Sequence, residues 1–127
     1  MAQDLLSSAL NNMMNAQKAR KHSCEIRHIN KMLLSVLDIL QEQGYIVSYK
    51  LKEGTLPSVI VEFGTLHECK AIKPRFYVSV DDLDKYVRRY LPAKDFGIII
   101  LSTNKGLLTH QEAIENNTGG SLIAYCF

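Results

Sequence analysis

Residues 102–127 read STNKGLLTHQEAIENNTGGSLIAYCF, and this stretch decides the fold of the C-terminal part of the chain. It follows the apolar run GIIIL at residues 97–101, which is typical of a short buried strand. Gly106 then favours a tight turn. We therefore expect a buried strand to carry three uncharged hydrogen-bonding side chains and one cation into that turn. These side chains belong to Ser102, Thr103, Asn104 and Lys105.

A short helix and a closing strand follow the turn. Thr109 and Glu112 have the spacing of a capping box, which predicts the start of a helix of about two turns. The polar and glycine-rich residues 116–120 end that helix, and Gly119 is expected to take the left-handed conformation that is common after a helix. Gly120 permits a close approach of a binding partner in a complex, and we expect the free protein to tolerate alanine there. The residues that follow are numerous enough to form a core strand.

Residues 1–70 predict a helix, a short strand, a second helix and a hairpin. Apolar residues at helical spacing form one face of the first helix, with Asp4 at or near its N-cap. Asn30 caps the second helix, which ends at Gly44. Alternating apolar residues then predict two strands on either side of a turn at Gly54. These elements are expected to form an N-terminal α/β lobe.

Residues 71–127 predict a second set of strands and helices. A predicted strand precedes Asp81 and Asp82, which favour the start of a helix because of their negative charge, and Pro92 ends that helix. Together with the strands and helix described first, this part of the chain predicts a C-terminal lobe that is mainly β with short helices. The sequence therefore predicts an α+β fold of two small, tightly packed lobes, residues 1–70 and 71–127.

The charge of the chain is mild for a protein that binds nucleic acid. The 127 residues carry a formal net charge of +2 with a pI of about 8.4, so contact with a polyanion would depend on local clusters of cations. One cluster lies between residues 18 and 31, where the only acid is Glu25, and its alternative explanation is a solvated helix end. The cations of this cluster are Lys18, Arg20, Lys21, Arg27 and Lys31.

Three widely spaced cysteines, Cys24, Cys69 and Cys126, predict free thiols. An odd number without a secretory leader favours a reducing compartment. The first 17 residues contain no lysine or arginine and therefore do not resemble a transit peptide. No apolar run approaches the roughly 18 residues that a membrane span needs. We expect no contact with a membrane.

The sequence contains no strong pattern of catalytic residues. Asp81, Asp82 and Asp84 could form an acidic cluster, but acids in the first turn of a helix are explained by the helix dipole. The glycines lack the lysine and the spacing of a phosphate-binding loop. His110 is the only base near a hydroxyl in sequence, and we expect it to be an exposed residue at a helix start. We therefore predict a protein without catalytic activity, cofactor or small-molecule substrate.

Three elements of residues 102–127 together resemble the universal small-subunit ribosomal protein eight family of bacteria and organelles. Members of that family carry a Ser-Thr-Ser-Lys-Gly turn, then Thr and Glu-Ala, then a Gly-Gly-Glu that opens a strand ending near Cys-Tyr. Each element lies at a turn or a cap, which makes the joint match specific. Weaker similarity extends over nearly the whole chain, including Lys73 and Pro74, where the family begins a strand. The matching C-terminal residues are Ser102, Thr103, Lys105, Gly106, Thr109, Glu112, Ala113, Gly119, Gly120 and Tyr125.

The resemblance implies a structural constituent of the small ribosomal subunit that binds the central domain of small-subunit rRNA and supports its folding and assembly. Neighbouring small-subunit ribosomal proteins, among them protein five, are the implied protein partners. Small hydroxyl and amide side chains at tight turns recognise RNA by its shape, and Lys105 supplies a phosphate contact. The residues expected to contact RNA are Lys31, Ser102, Thr103, Asn104, Lys105, Gly106, Gly119, Gly120 and Ser121.

Departures from the family pattern indicate a diverged lineage. Ser121 stands where the family has glutamate, Asn104 where it has serine, and Arg75 where it has glycine. The run THQEA at residues 109–113 resembles organellar members. We therefore expect a mitochondrial ribosome, with the plastid or the bacterial cytoplasm as alternatives.

The resemblance does not account for two His-x-Cys units, His22 with Cys24 and His67 with Cys69. Residues i and i+2 of a strand share a face, so two such strands side by side could form a tetrahedral zinc site. The alternative function is therefore a zinc-stabilised protein-interaction module in a ribonucleoprotein, with few direct RNA contacts. Buried thiols and surface imidazoles are the simpler explanation.

Overall fold

A computed structural model describes residues 5–27, 29–72, 76–93 and 96–127. The predicted cap at Asp4 and the strand start at Lys73 and Pro74 lie outside these ranges. The chain divides into two compact units, with the boundary between Glu68 and Cys69. Each unit combines helices with antiparallel strands, which confirms the predicted α+β class. None of the helices in the described ranges is long and apolar enough to cross a membrane.

The N-terminal unit combines two helices with a three-stranded antiparallel sheet. Its elements are α1 (Leu5–Lys18), β1 (Ser23–Ile26), α2 (Lys31–Glu42), β2 (Ile46–Lys52) and β3 (Ser58–Phe63). Strand β3 lies between β1 and β2. Apolar residues recur every three or four positions along both helices, so each helix buries one face. The buried side chains of these two faces are Leu6, Ala9, Leu10, Met13, Met14, Leu33, Val36, Leu37, Ile39 and Leu40.

The ends of these helices follow local rules. The side chain of Asn30 accepts a hydrogen bond of 2.8 Å from the backbone N–H of Leu33, which confirms the predicted cap of α2. Gly44 has a φ of 83° directly after α2, as a left-handed residue that ends a helix should. Arg20 takes the same role after α1 with a φ of 62°. Both helix ends are therefore set by residues within one turn of them.

The C-terminal unit is built around its last strand. Its elements are β4 (Cys69–Ala71), β5 (Tyr77–Val78), a 3-10 turn (Val80–Asp82), α3 (Leu83–Tyr90), β6 (Ile98–Thr103), β7 (Gly106–Thr109), α4 (His110–Glu115) and β8 (Gly120–Cys126). The sheet has the order β4-β8-β6-β7, and β5 also pairs with β8. Strand β8 is therefore hydrogen-bonded to three other strands.

The core of this unit lies between the sheet and the helices. It joins Ile99, Leu101 and Leu122 of the two central strands with Leu83 and Val87 of α3, all of which are almost fully buried. The predicted buried strand at residues 97–101 is thus confirmed, and it extends to Thr103. Strand pairing and helix packing together fix the two chain corners that follow β6 and α4.

Candidate nucleic-acid interface

The first corner is the hairpin turn between β6 and β7. Thr103 lies opposite Gly106, and Asn104 and Lys105 form the exposed tip. Gly106 has a φ of 103°, a conformation that residues with a Cβ rarely adopt. The hydroxyl of Thr103 donates to the carbonyl of Gly106 at 2.8 Å and accepts from the N–H of Lys105 at 3.0 Å. Thr103 therefore shapes the turn, while Asn104 and Lys105 present their side chains to solvent.

The second corner joins α4 to β8. Thr109 and Glu112 form the predicted capping box at the start of α4. At its end, the N–H groups of Asn117 and Thr118 donate to the carbonyls of Ile114 and Ala113, at 3.1 and 2.9 Å. This pattern is a Schellman motif with Asn117 as the left-handed residue, at a φ of 52°.

The prediction that Gly119 is the left-handed residue is therefore wrong, because the helix ends earlier and asparagine tolerates this conformation. Gly119 is needed for space instead. A Cβ there would lie 2.7 Å from the carbonyl oxygen of Val78 and 2.8 Å from the hydroxyl of Tyr77. The strand β5 could not lie so close to any other residue.

Gly120 is packed equally tightly. A Cβ at this position would lie 2.6 Å from the carbonyl oxygen of Ser102 and 2.9 Å from Cγ2 of Thr103. The expectation that the free protein tolerates alanine at Gly120 is therefore wrong, since the nearest atom belongs to the backbone of the neighbouring strand. The two glycines bring both corners together.

The two corners line one open pocket of about 250 Å³, which we call the glycine pocket. Ser121 lies directly opposite Ser102 on the paired strands β8 and β6, at the edge of this surface. Lys105 and Gly106 belong to the turn beside it. The residues that line the pocket are Tyr77, Ser102, Thr103, Asn104, Thr118, Gly119 and Gly120.

Five of the residues predicted to bind RNA thus line one pocket, and Lys31 does not belong to it. Lys31 is the exposed first residue of α2 in the N-terminal unit. Tyr77 and Thr118 line the pocket but were not predicted. The alternation of Phe76, Val78 and Val80 already indicated that Tyr77 points to the opposite, solvent side of its strand.

The chemistry of the glycine pocket is that of neutral hydrogen bonding. Its lining consists of hydroxyl groups, one amide, backbone and an aromatic ring, without a carboxylate. The nearest cation in sequence is Lys105, at the tip of the turn. Such a surface can accept and donate hydrogen bonds to ribose hydroxyls, phosphates and base edges. It contains no pair of groups suited to acid–base catalysis.

His110 is not the exposed residue that was expected. Its side chain is 3% exposed, and its Nδ1 accepts a hydrogen bond of 3.2 Å from the backbone N–H of Ile99. Burial lowers the pKa of His110 below its usual value of 6.5. The imidazole therefore joins the start of α4 to β6 as a neutral structural group.

The acidic residues near α3 also have local roles. Asp84 forms an ion pair of 2.7 Å with Arg88, one turn further along the helix. Asp82 accepts a hydrogen bond of 3.2 Å from the hydroxyl of Ser79. Both are surface interactions of the kind that stabilise helix starts.

The zinc alternative receives no support. Strand β1, which contains Cys24, pairs with β3, whereas β4, which begins at Cys69, pairs with β8, so the two strands do not lie side by side in one sheet. Across the part of the chain that the structure describes, no three histidine, cysteine or acidic side chains are grouped so as to hold a metal ion. Cys69 instead lies directly opposite Cys126.

The N-terminal unit has a larger groove of about 780 Å³ between α1 and β1. Two cations of the predicted basic cluster, Lys21 and Arg27, line it together with Asn12, Asn15 and the half-buried Cys24. This groove combines two cations, the carboxylate of Glu25 and amide groups, and its lining shares no residue with the glycine pocket.

Two small α+β units and a neutral polar surface built on tight corners suit a structural protein that binds nucleic acid. Comparison with known sequences supports the same class of protein. The family description "Ribosomal protein S8" matches residues 4–127, and the chain belongs to this family. It is therefore a structural ribosomal protein of the small subunit and not an enzyme.

Two relatives match along their whole length. The small ribosomal subunit protein uS8 of Methanococcoides burtonii is 38% identical over 126 residues, which cover 98% of this chain and 97% of the relative. The protein of the same name from Archaeoglobus fulgidus is 39% identical over 129 aligned positions, which cover all of both chains. Binding to small-subunit rRNA and to other ribosomal proteins follows from membership of this family.

Proposed function

We propose that the C-terminal unit binds the central domain of small-subunit rRNA through the glycine pocket and the β6–β7 turn, and supports the folding of that domain. One observation carries this proposal. Two sequence elements that were predicted separately, residues 102–106 and 119–121, line or border one pocket. Their side chains are small, neutral and polar, as shape-based recognition of RNA requires.

The residues of this surface have different roles. Ser102, Asn104 and Ser121 offer hydrogen bonds to ribose and base edges, and Lys105 places a point charge against a phosphate. Thr103 and Gly106 hold the turn in its conformation. The glycines at 119 and 120 admit the close packing of strands on which the pocket depends.

In the N-terminal unit, Lys31 provides a phosphate contact at the exposed start of α2. Protein partners contact the same unit, and we propose that protein five is one of them. Three apolar side chains on or after β2 support a protein contact, since Val47, Leu51 and Leu56 are each more than half exposed.

The protein works in the ribosome. Both relatives described above are archaeal, which supports an archaeal-type small subunit. The predicted mitochondrial location has no such support and stays a prediction. Mass spectrometry of purified small subunits tests the mitochondrial prediction. That prediction requires peptides of this chain in ribosomes from an organellar fraction, whereas an archaeal-type subunit requires them in cytoplasmic ribosomes.

The proposal is tested with a transcript of the rRNA central domain in binding titrations. We expect Ser102→Ala and Ser121→Ala each to weaken binding, while Ser35→Ala, an exposed serine on α2, binds like the parent. Thermal melts should show that all three variants stay folded. If both pocket variants bind like the parent, the glycine pocket is not the RNA site, although the family assignment would stand.

The contribution of charge is measured separately with Lys105→Ala. Removal of one phosphate contact should reduce the slope of log affinity against log salt by about one. Lys52→Ala, at the exposed end of β2, serves as the matched control and should leave the slope unchanged. An unchanged slope for Lys105→Ala would remove this residue from the interface.

A further inference from the structure

Tyr77 differs from every other aromatic side chain of the C-terminal unit. The other six rings pair with one another, with centroids between 5.2 and 6.3 Å apart. The pairs are Phe76–Tyr86, Tyr90–Tyr125, Phe96–Phe127 and Tyr125–Phe127. Among the described residues, Tyr77 has no such ring partner, and its side chain is 69% exposed. The fold therefore leaves most of this ring uncovered.

Strand pairing places the ring of Tyr77 in one row with the side chains of two serines on neighbouring strands. Tyr77 of β5 lies directly opposite Ser121 of β8, and Ser121 lies directly opposite Ser102 of β6. Directly opposed residues of paired strands project from the same face of a sheet. One face of this sheet thus carries an exposed aromatic ring followed by two hydroxyl groups in a straight line across three strands.

One end of the Tyr77 side chain lies close to Gly119. The hydroxyl of Tyr77 lies over Gly119, where an added Cβ would approach it to 2.8 Å. The neighbouring Val78 is buried and fixes the backbone of β5. Tyr77 lines the glycine pocket together with Ser102, Asn104 and Gly120. An exposed ring on a rigid strand loses little conformational freedom when a flat ligand covers it.

We propose that Tyr77 is the stacking platform of the glycine pocket and receives one unstacked base of the bound rRNA, while the hydroxyl row recognises the attached ribose and base edge. The inference rests on the proposed function of this pocket and adds the residue that contributes apolar contact area to it. Bases in irregular or single-stranded RNA stack on tyrosine rings, and stacking depends little on the identity of the base.

Variants of Tyr77 separate the ring from its hydroxyl. With the central-domain transcript, Tyr77→Ala should weaken binding by about 5- to 150-fold, the range that corresponds to the loss of one base–aromatic stack. Tyr77→Phe should bind like the parent, and Tyr77→Leu should lose most of the affinity because it keeps apolar bulk without a flat face. Ile114→Ala, which removes another exposed apolar side chain, is the matched control.

The salt dependence distinguishes stacking from charge. Tyr77→Ala should lower affinity equally at all salt concentrations, because a neutral ring releases no counterions. A loss of affinity in Tyr77→Phe as large as in Tyr77→Ala would assign the contact to the hydroxyl and overturn the stacking role.

A direct signal is available because the chain contains no tryptophan. In Tyr77→Trp the only indole of the protein lies at the pocket, and a stacked base should quench its fluorescence on titration with the transcript. In the control Ile114→Trp, at another exposed apolar position, the fluorescence should not change. An unquenched indole in a variant that still binds the transcript would also overturn the inference.

Failure of the inference can be distinguished from failure of the proposed function. If Tyr77→Ala binds like the parent while Ser102→Ala and Ser121→Ala lose affinity, the pocket binds RNA without a stacking platform. If all three variants bind like the parent and remain folded by thermal melts, both the pocket and the platform are wrong.

Discussion

Gly106 and the two glycines of the pocket are required for different physical reasons. Gly106 has a φ of 103° and open space around the position of a Cβ, so only its backbone conformation excludes other residues. Gly119 and Gly120 lack that conformation, but a Cβ added at either position would lie within 3 Å of one backbone carbonyl oxygen and one side-chain atom. The same residue type thus sets a turn in one place and a strand distance in another.

Substitution of Gly106 tests the first of these roles. Gly106→Ala should lower the free energy of unfolding by about 1 kcal/mol, because alanine is strained at positive φ. Gly54→Ala is the matched control, since Gly54 also has open space around it but no positive φ. Urea denaturation of both variants measures the difference. Equal stability of the two variants would show that the turn relaxes without cost.

His110 makes stability depend on pH. Its pKa is lowered in the folded protein by burial, so the unfolded chain binds a proton more readily. Stability should therefore fall as the pH decreases below about 6.5, and continue to fall until the lowered pKa of the folded state is reached. Above this window the imidazole is neutral in both states and contributes no pH dependence.

The variant His110→Asn should lack this part of the pH dependence. Its amide oxygen can accept the hydrogen bond from the N–H of Ile99, and it does not titrate. Denaturation curves of the parent and the variant, recorded at several pH values between about 7.5 and about 5, give the free energy of unfolding of each protein at each pH. The difference between the two proteins is the contribution of His110. Parallel curves would mean that His110 has the same pKa in both states.

Among the secondary-structure elements, α4 depends most on its cap. It has only six residues, too few to be stable without tertiary contacts. The N–H of Glu112 donates to the Thr109 hydroxyl at 3.3 Å, and the N–H of Thr109 donates to the carboxylate of Glu112 at 3.2 Å. Both groups thus satisfy backbone donors that the helix itself cannot.

We expect Thr109→Ala to lower the free energy of unfolding by about 1 kcal/mol, within the usual range of about 0.5–2 for the loss of an N-cap. Thr55→Ala, on the exposed loop between β2 and β3, should change stability by less than about 0.5 kcal/mol. The double variant Thr109→Ala with Glu112→Ala should be less destabilised than the sum of the single variants, because one capping box is lost in each case. Additive losses would show that the two residues act separately.

Local signals in the sequence predicted the elements that depend on near neighbours. The caps at Asn30 and Thr109 could be predicted because donor and acceptor lie three residues apart. The left-handed residue after α4 was assigned to Gly119 rather than Asn117, because glycine is the commoner residue there and the exact end of a helix is hard to locate.

Elements that depend on distant pairing were harder to predict. Strands β4 and β7 have three and four residues, too few for a periodic pattern, and both exist because a neighbouring strand satisfies their backbone groups. The burial of His110 likewise depends on β6, whose partners lie elsewhere in the chain. The two elements that were separately predicted to contact RNA line or border one pocket, and this pocket follows from the pairing of β6 with β8.

At the scale of the whole molecule, the three cysteines differ in how deeply the fold buries them. Cys69 and Cys126 are fully buried and lie directly opposite each other on β4 and β8, whereas Cys24 is half-buried. Burial, and then the hydrogen bond with the Cys69 thiol, raise the pKa of Cys126 well above its usual value. Its reactive thiolate is therefore scarce in the folded state.

We expect a thiol reagent to modify Cys24 first in the native protein, and Cys69 and Cys126 only when the C-terminal sheet opens. In denaturant all three should react at once, as predicted for free thiols. Mass spectrometry of the labelled protein counts and locates the modified residues. Equal native rates at all three positions would show that the C-terminal sheet opens frequently, and fewer than three thiols in denaturant would show a disulfide.

The central position of β8 has a consequence for the order in which the protein is made. Synthesis proceeds from the N-terminus, and β4, β5 and one edge of β6 can pair only after residues 120–126 have been made. The N-terminal unit can fold first, whereas of the C-terminal sheet only the β6–β7 hairpin can form early. Gly120 and Ser121 belong to β8 itself, so the surface that we assign to rRNA is incomplete until β8 has been made and has paired with β6.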